Sequence, residues 1–143
     1  MGTRAVSHVN LWSLGYGKDI YIATHWDGYP EDLGTRLKEA IETELKKHAE
    51  KFNNLLDLGA VLQKAIFKAC ADHHIDEIST YNIEEFLNRY NDFAIYFYDI
   101  QASKRGIAIY CAELKENGHI VEFRDAYKLG LLNKRKLLHK IEF

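Results

Sequence analysis

The chain has 143 residues, 47% of them apolar and 13% aromatic, with a formal net charge of −2. One domain spanning 1–143 is expected at this length, and the apolar content excludes a disordered chain. Two cysteines, Cys70 and Cys111, exclude a disulfide framework, and no apolar run approaches the ~18 residues of a membrane span. The first 25 residues lack a charged start followed by an apolar run, so no signal peptide and a cytoplasmic setting are expected. Charge is uneven. Residues 126–143 hold five Lys/Arg against Glu142 alone, a basic segment on an acidic body. A solvated end that docks on the acidic body is the ordinary reading, and nucleic acid is only weakly supported, because four excess charges are few beside the many contacts of strong phosphate binding.

Residues 3–12 alternate, with Ala5, Ser7, Val9 and Leu11 opposed to Arg4, His8, Asn10 and Trp12. Gly15–Asp19 carries a turn signal, and residues 20–26 alternate again. A hairpin follows. Centring its loop between Tyr16 and Gly17 sets Leu11 opposite Ile22, Trp12 opposite Tyr21 and His8 opposite His25. Arg4, His8 and His25 then share a polar face.

After Pro30 the period becomes helical through Leu33, Leu37, Ala40, Ile41, Leu45, His48 and Phe52, with Asn53 and Asn54 as the stop. A second helix is expected over about 57–73, on the stripe Leu58, Val61, Leu62, Ala65, Ile66 and Ala69. Asn82-Ile83-Glu84-Glu85 resembles a capping box opening a short helix to Tyr90. Strands return over 93–98 and 107–114, and Asn117-Gly118 predicts a hairpin onto 119–124. The tail 126–143 is ambiguous between helix, strand and coil. Segregated strands and helices argue an α+β fold, with a mainly antiparallel sheet (an N-terminal hairpin plus three C-terminal strands) covered on one face by two or three helices.

The string His25-Trp26-Asp27-Gly28-Tyr29-Pro30 is the least ordinary in the chain. Together with Gly2-Thr3-Arg4 and Leu33-Gly34 it resembles small uncharacterised microbial and phage proteins that carry an HWDGYP signature between a short hairpin and a helix. The resemblance covers about residues 2–37 and implies no activity. Physically the string reads as a strand-to-helix corner. Gly28 is expected to take a positive φ, Asp27 to accept backbone N–H groups, and Trp26 to anchor the corner in the core. The functional reading displays His25, Asp27 and Tyr29 beside the helix start. Glu31 and Asp32 already occupy that start with negative charge, which disfavours an anion there.

His8 and His25, if adjacent, suit acid–base chemistry on a phosphodiester with Arg4 stabilising charge, and with Asp27 they could also bind a metal. Inert cross-strand histidines are the commoner case, and no metal or cofactor is expected. Cys70 to His74 offers metal-ligand residue types but lacks a full set, and Cys111 reads as a small buried hydrophobe. Tyr96, Tyr98 and Tyr110 with Lys104 and Arg105 resemble a single-strand nucleic-acid surface, or equally a core or subunit face. No P-loop, GxGxxG, HExxH, GxSxG or EF-hand pattern occurs. The expectation is a binding or interaction module, with Arg4, His8, His25, Asp27 and Tyr29 as its site. Its partner would be a small polar ligand or a protein, a homodimer included, and not a membrane. The alternative is a metal-independent phosphodiester hydrolase using His8 and His25.

Overall fold

The computed structural model describes residues 2–48, 55–103 and 105–142. The fold is α+β. Its strands are β1 (Ala5–Asn10), β2 (Asp19–Thr24), β3 (Ile75–Ser79), β4 (Tyr96–Ser103), β5 (Gly106–Glu113), β6 (Lys115–Glu116), β7 (His119–Ile120) and β8 (Lys136–Glu142). The helices are α1 (Thr35–His48), α2 (Leu55–Ala71), α3 (Ile83–Arg89) and α4 (Phe123–Lys128). None of the described helices is long and apolar enough to cross a membrane. The expected end of the first helix, Phe52 to Asn54, lies outside the described residues.

The main sheet has six strands in the order β3-β2-β1-β4-β5-β8. This corrects the expectation of a mainly antiparallel sheet with three consecutive C-terminal strands, because β4 lies parallel to β1 at the centre and the sheet is mixed. The chain leaves edge strand β3, passes through α3 and inserts β4 beside β1. Alternation along a strand reveals its faces but not which neighbour it will join. The third C-terminal strand is β8, drawn from the basic tail. Asn117-Gly118 does make a tight turn, with φ of 52° and 80°, but it joins only the separate β6–β7 ribbon, and α4 begins at Phe123.

The β1–β2 register also differs from expectation. Val9 opposes Ile20 and His8 opposes Tyr21, a shift of four residues. The reason is local. The Asn10 side chain accepts from Trp12 N–H at 3.0 Å and Ser13 N–H at 3.4 Å, ending β1 and starting a tight helical turn over Trp12–Leu14. Trp12 leaves the ladder, and the loop is centred two residues earlier than the sequence suggests.

Both sheet faces are covered, where only one was expected. On one face Val9, Ile22, Ile100 and Ile109 pack beneath Leu37, Ile41, Leu62 and Ile66 of α1 and α2. On the other, Val6, Ala23, Phe97 and Ala112 pack beneath Phe86 of α3 and Phe123 of α4. This second cap is narrow and leaves two polar ends on the same face. Arg4 and His25 lie at one, His8 and Asp99 at the other. The sheet edges carry Asp76 and Glu77 on β3, and Lys136, Lys140 and a register break on β8, devices that discourage further strand pairing.

Candidate functional site

The corner after β2 is rigid for reasons other than those expected. Asp27, not Gly28, takes the positive φ, at 53°. Gly28 is required by close approach, since a Cβ there would meet the Thr3 carbonyl at 2.7 Å and the Ala5 Cβ at 2.8 Å. Gly28 N–H donates to the Thr3 carbonyl at 2.9 Å, and Tyr98 Oη donates to the Gly28 carbonyl at 2.5 Å. The Asp27 carbonyl accepts from Leu33 N–H at 3.2 Å, whereas its exposed carboxylate has no partner among the described residues. Pro30–Gly34 forms one wide helical turn before α1 begins at Thr35. Trp26 does not anchor the core. It is 51% exposed and stacks on His74 with ring centroids 5.3 Å apart. Tyr29 is also exposed, tilted against Tyr96.

Continuing the β1–β2 register by one residue sets Arg4 opposite His25. The two side chains line a shared cleft. His25 Nδ1 lies 3.0 Å from Asp76 Oδ2, and the ring stands edge-on to Trp26 and His74. Its backbone N–H donates to the His73 and His74 carbonyls, so the end of α2 fixes where β2 terminates. Arg4 Nη1 lies 3.5 Å from Asp92 Oδ1, while Arg4 Nε is buried with no hydrogen-bond partner. To one side of this pair is a hollow of about 370 Å³ lined by Phe93, Ile95 and Ile120. To the other is a hollow of about 220 Å³ lined by Asp76, Glu77, Arg89, Asn91 and Asp92.

His8 is not in this cleft. It lies four strand residues from the level of His25, about 13 Å at the rise of a β-strand. The structure therefore does not bring the two histidines together. His8 is buried, with Nδ1 2.8 Å from Asp99 Oδ1 and Nε2 3.5 Å from Asp19 Oδ2, and its ring stacks on Tyr21 at 4.4 Å. Arg135 Nε reaches Asp99 Oδ2 at 2.9 Å, and Gln101 Nε2 donates to Asp99 Oδ1 at 2.8 Å. Burial pulls the His8 pKa down, but the hydrogen bonds and charges of Asp19 and Asp99 outweigh it and hold the pKa above its ordinary value. Asp27 and Tyr29 stand apart on the exposed corner, so of the five expected site residues only Arg4 and His25 share a cavity.

The weaker constellations separate as well. Cys70 is buried, and burial raises its thiol to about 12, while Cys111 is raised to about 11 by burial, which works against a thiolate at neutral pH. His73 bridges the Ala69 carbonyl and Asp32 Oδ1, both at 3.0 Å, tying α2 to the turn before α1. No group of three or more His, Cys, Asp or Glu among the described residues is arranged to hold a metal ion. Tyr98 is buried on the face beneath α1 and α2, whereas Tyr110 lies on the other face under Arg135, so no common aromatic surface forms. Lys104 lies outside the described residues.

Sequence reasoning missed Asp76, Asp92, Phe93 and Ile120 at the cleft, and Asp99 beside His8. Asp99 carried a signal, being a lone acid inside the apolar run from Phe93 to Ile100. The cleft residues carried none, since they come from a turn, a short edge strand and a two-residue ribbon. No family model, curated protein or solved structure matches the chain.

Proposed function

We propose that the protein is a binding module whose ligand seats in the Arg4–His25 cleft. The observation that carries this reading is the arrangement of Arg4 and His25. They face each other across β1 and β2 and form the common wall of two adjoining hollows, one apolar and one polar. Concave sites with an apolar lining and a few convergent polar groups are the usual form of a small-molecule pocket. The buried, unpartnered Arg4 Nε supplies a donor that folding leaves unused. A small polar ligand fits this volume better than a macromolecule does.

The test is a melting-temperature panel on wild type, Arg4→Gln and His25→Ala. It would span carboxylates, amines, amino acids, mono- and cyclic nucleotides and short RNA. A ligand at ~100 times its dissociation constant adds about 2.7 kcal/mol of stability, which is readily seen. The expected result is a shift in wild type that both variants lose. A shift that both variants keep, or none with any compound, overturns the reading. The variants should fold, because part-exposed pairs such as Arg4–Asp92 and His25–Asp76 contribute at most about 1 kcal/mol each.

A further inference from the structure

This inference rests on the cleft being a ligand site and names the ligand's class. We infer that the Arg4–His25 cleft takes a free α-amino acid with an apolar side chain.

The charges of the polar hollow are mostly settled among themselves. Asp76 is held by His25 at 3.0 Å. Arg89 is held by Glu85 at 2.6 Å, and Glu77 accepts from the Ile78 N–H at 3.3 Å. Two groups remain under-used, Arg4 and Asp92. Their contact is 3.5 Å, longer than the roughly 2.7–3.2 Å of a good N–H···O bond. Arg4 Nε is buried with no partner. Asp92 Oδ1 accepts from the Phe93 N–H at 2.8 Å, while its Oδ2 has no partner among the described residues. A loosely closed pair of opposite charges matches a ligand that carries one charge of each sign close together.

A lone anion would satisfy Arg4 but stand beside Asp92, Asp76 and Glu77. A lone cation would satisfy Asp92 and leave Arg4 Nε without an acceptor. A zwitterion answers both, its carboxylate on Arg4 and its ammonium on Asp92. An α-amino acid carries both charges on one carbon, as a site with its counter-charges 3.5 Å apart requires.

The apolar hollow selects the rest of the molecule. Phe93 is 45% exposed and Ile120 41% exposed, and both line this hollow with Ile95. Exposed apolar side chains converging on one cavity gain from an apolar occupant. The tight Asn117-Gly118 turn holds Ile120 in place at the rim. A volume of about 370 Å³ accommodates a phenyl or branched alkyl group. A peptide N-terminus has the ammonium but not the adjacent carboxylate, so the free amino acid is the better match.

The experiment titrates four probes into isotopically labelled protein, following the Arg4 and His25 resonances. The probes are phenylalanine, 3-phenylpropionate, phenethylamine and glycine. The expected result is that phenylalanine binds at least tenfold more tightly than each of the others. Arg4→Gln and Asp92→Asn should each weaken phenylalanine at least tenfold while leaving the spectrum of the folded protein intact. Asn at position 92 keeps an acceptor for the Phe93 N–H, so folding is not at issue. If 3-phenylpropionate or phenethylamine binds as tightly as phenylalanine, or if only a nucleotide or other compound of the wider panel moves these resonances, the zwitterion assignment falls while the binding site stands. If no compound moves them, both fall.

Discussion

The Tyr98 hydroxyl donates to the Gly28 carbonyl across 70 residues of sequence. One central strand thereby holds the corner that follows β2, and through it the position of His25. Tyr98 is fully buried and its phenol pKa is pushed up by burial, so the hydroxyl remains a donor throughout the working pH range. Tyr98→Phe removes the donor and leaves a buried carbonyl oxygen without it. A destabilisation of about 1–3 kcal/mol is expected. Denaturant midpoints of the two proteins measure it, and an unchanged midpoint would show that the corner is held by other contacts.

Gly28 and Asp27 should respond to substitution in opposite ways. Gly28→Ala pushes a methyl into the Thr3 carbonyl and the Ala5 Cβ, both backbone-fixed, so the strand must move. Overpacking of this kind costs about 1–3 kcal/mol. Asp27→Gly removes a residue from left-handed backbone without removing any carboxylate hydrogen bond, and should leave stability equal or slightly higher. Melting curves of both variants decide the matter. A large loss at Asp27→Gly, with none at Gly28→Ala, would restore the capping role that the sequence suggests for Asp27.

Asn82 does cap α3 as the sequence suggests, but without the reciprocal half of a capping box. Its Oδ1 accepts from Glu85 N–H at 2.9 Å, while Glu85 turns to Ser79 Oγ at 3.1 Å instead of completing a reciprocal box. Asn82→Ala should cost about 1 kcal/mol. Because α3 brings Phe86 over the sheet and Arg89 to the cleft, the same variant should also raise amide exchange across Ile83–Arg89. Unaltered exchange there would mean that packing by Phe86 alone holds the helix.

Three of the four described helices and most strands were legible because they follow from local periodicity, whereas α4 was not, its residues falling in the expected strand 119–124 and the ambiguous tail. Leu37, Ile41, Leu45 and Leu58, Leu62, Ile66 mark α1 and α2, and alternation marks β1, β2, β4 and β5. Two strands were not. β3 is short and carries two acids among its five residues, and β8 lies in a tail whose lysines read as solvated. The parallel insertion of β4 beside β1 is a long-range choice with no local trace. At the cleft, alternation places Arg4 and His25 on one face, and they do meet. His8 was expected beside them because the loop was centred between Tyr16 and Gly17. The Asn10-capped turn over Trp12–Leu14 moves the register by four residues, which sets His8 beside Asp99 instead.

That position makes His8 a source of pH-dependent stability. Asp99 from β4 and Asp19 from the start of β2 face its two ring nitrogens, Arg135 shares Asp99, and Tyr21 lies against the ring. Burial disfavours the imidazolium, yet the two carboxylates raise its pKa above the unfolded value of 6.5. A group whose pKa rises on folding contributes stability that is fully present below its unfolded pKa. The contribution is lost as pH rises through the higher folded value. His8→Gln keeps hydrogen-bonding capacity and removes the charge. The stability difference between wild type and His8→Gln should therefore shrink as pH rises above the unfolded value of 6.5. Burial holds the Tyr21 phenol well above its ordinary value, so that neighbour does not titrate together with His8. Denaturant unfolding of both proteins at a series of pH values measures it. A difference that stays constant or widens towards alkaline pH would mean that His8 is held neutral, with Asp99 paired to Arg135 alone.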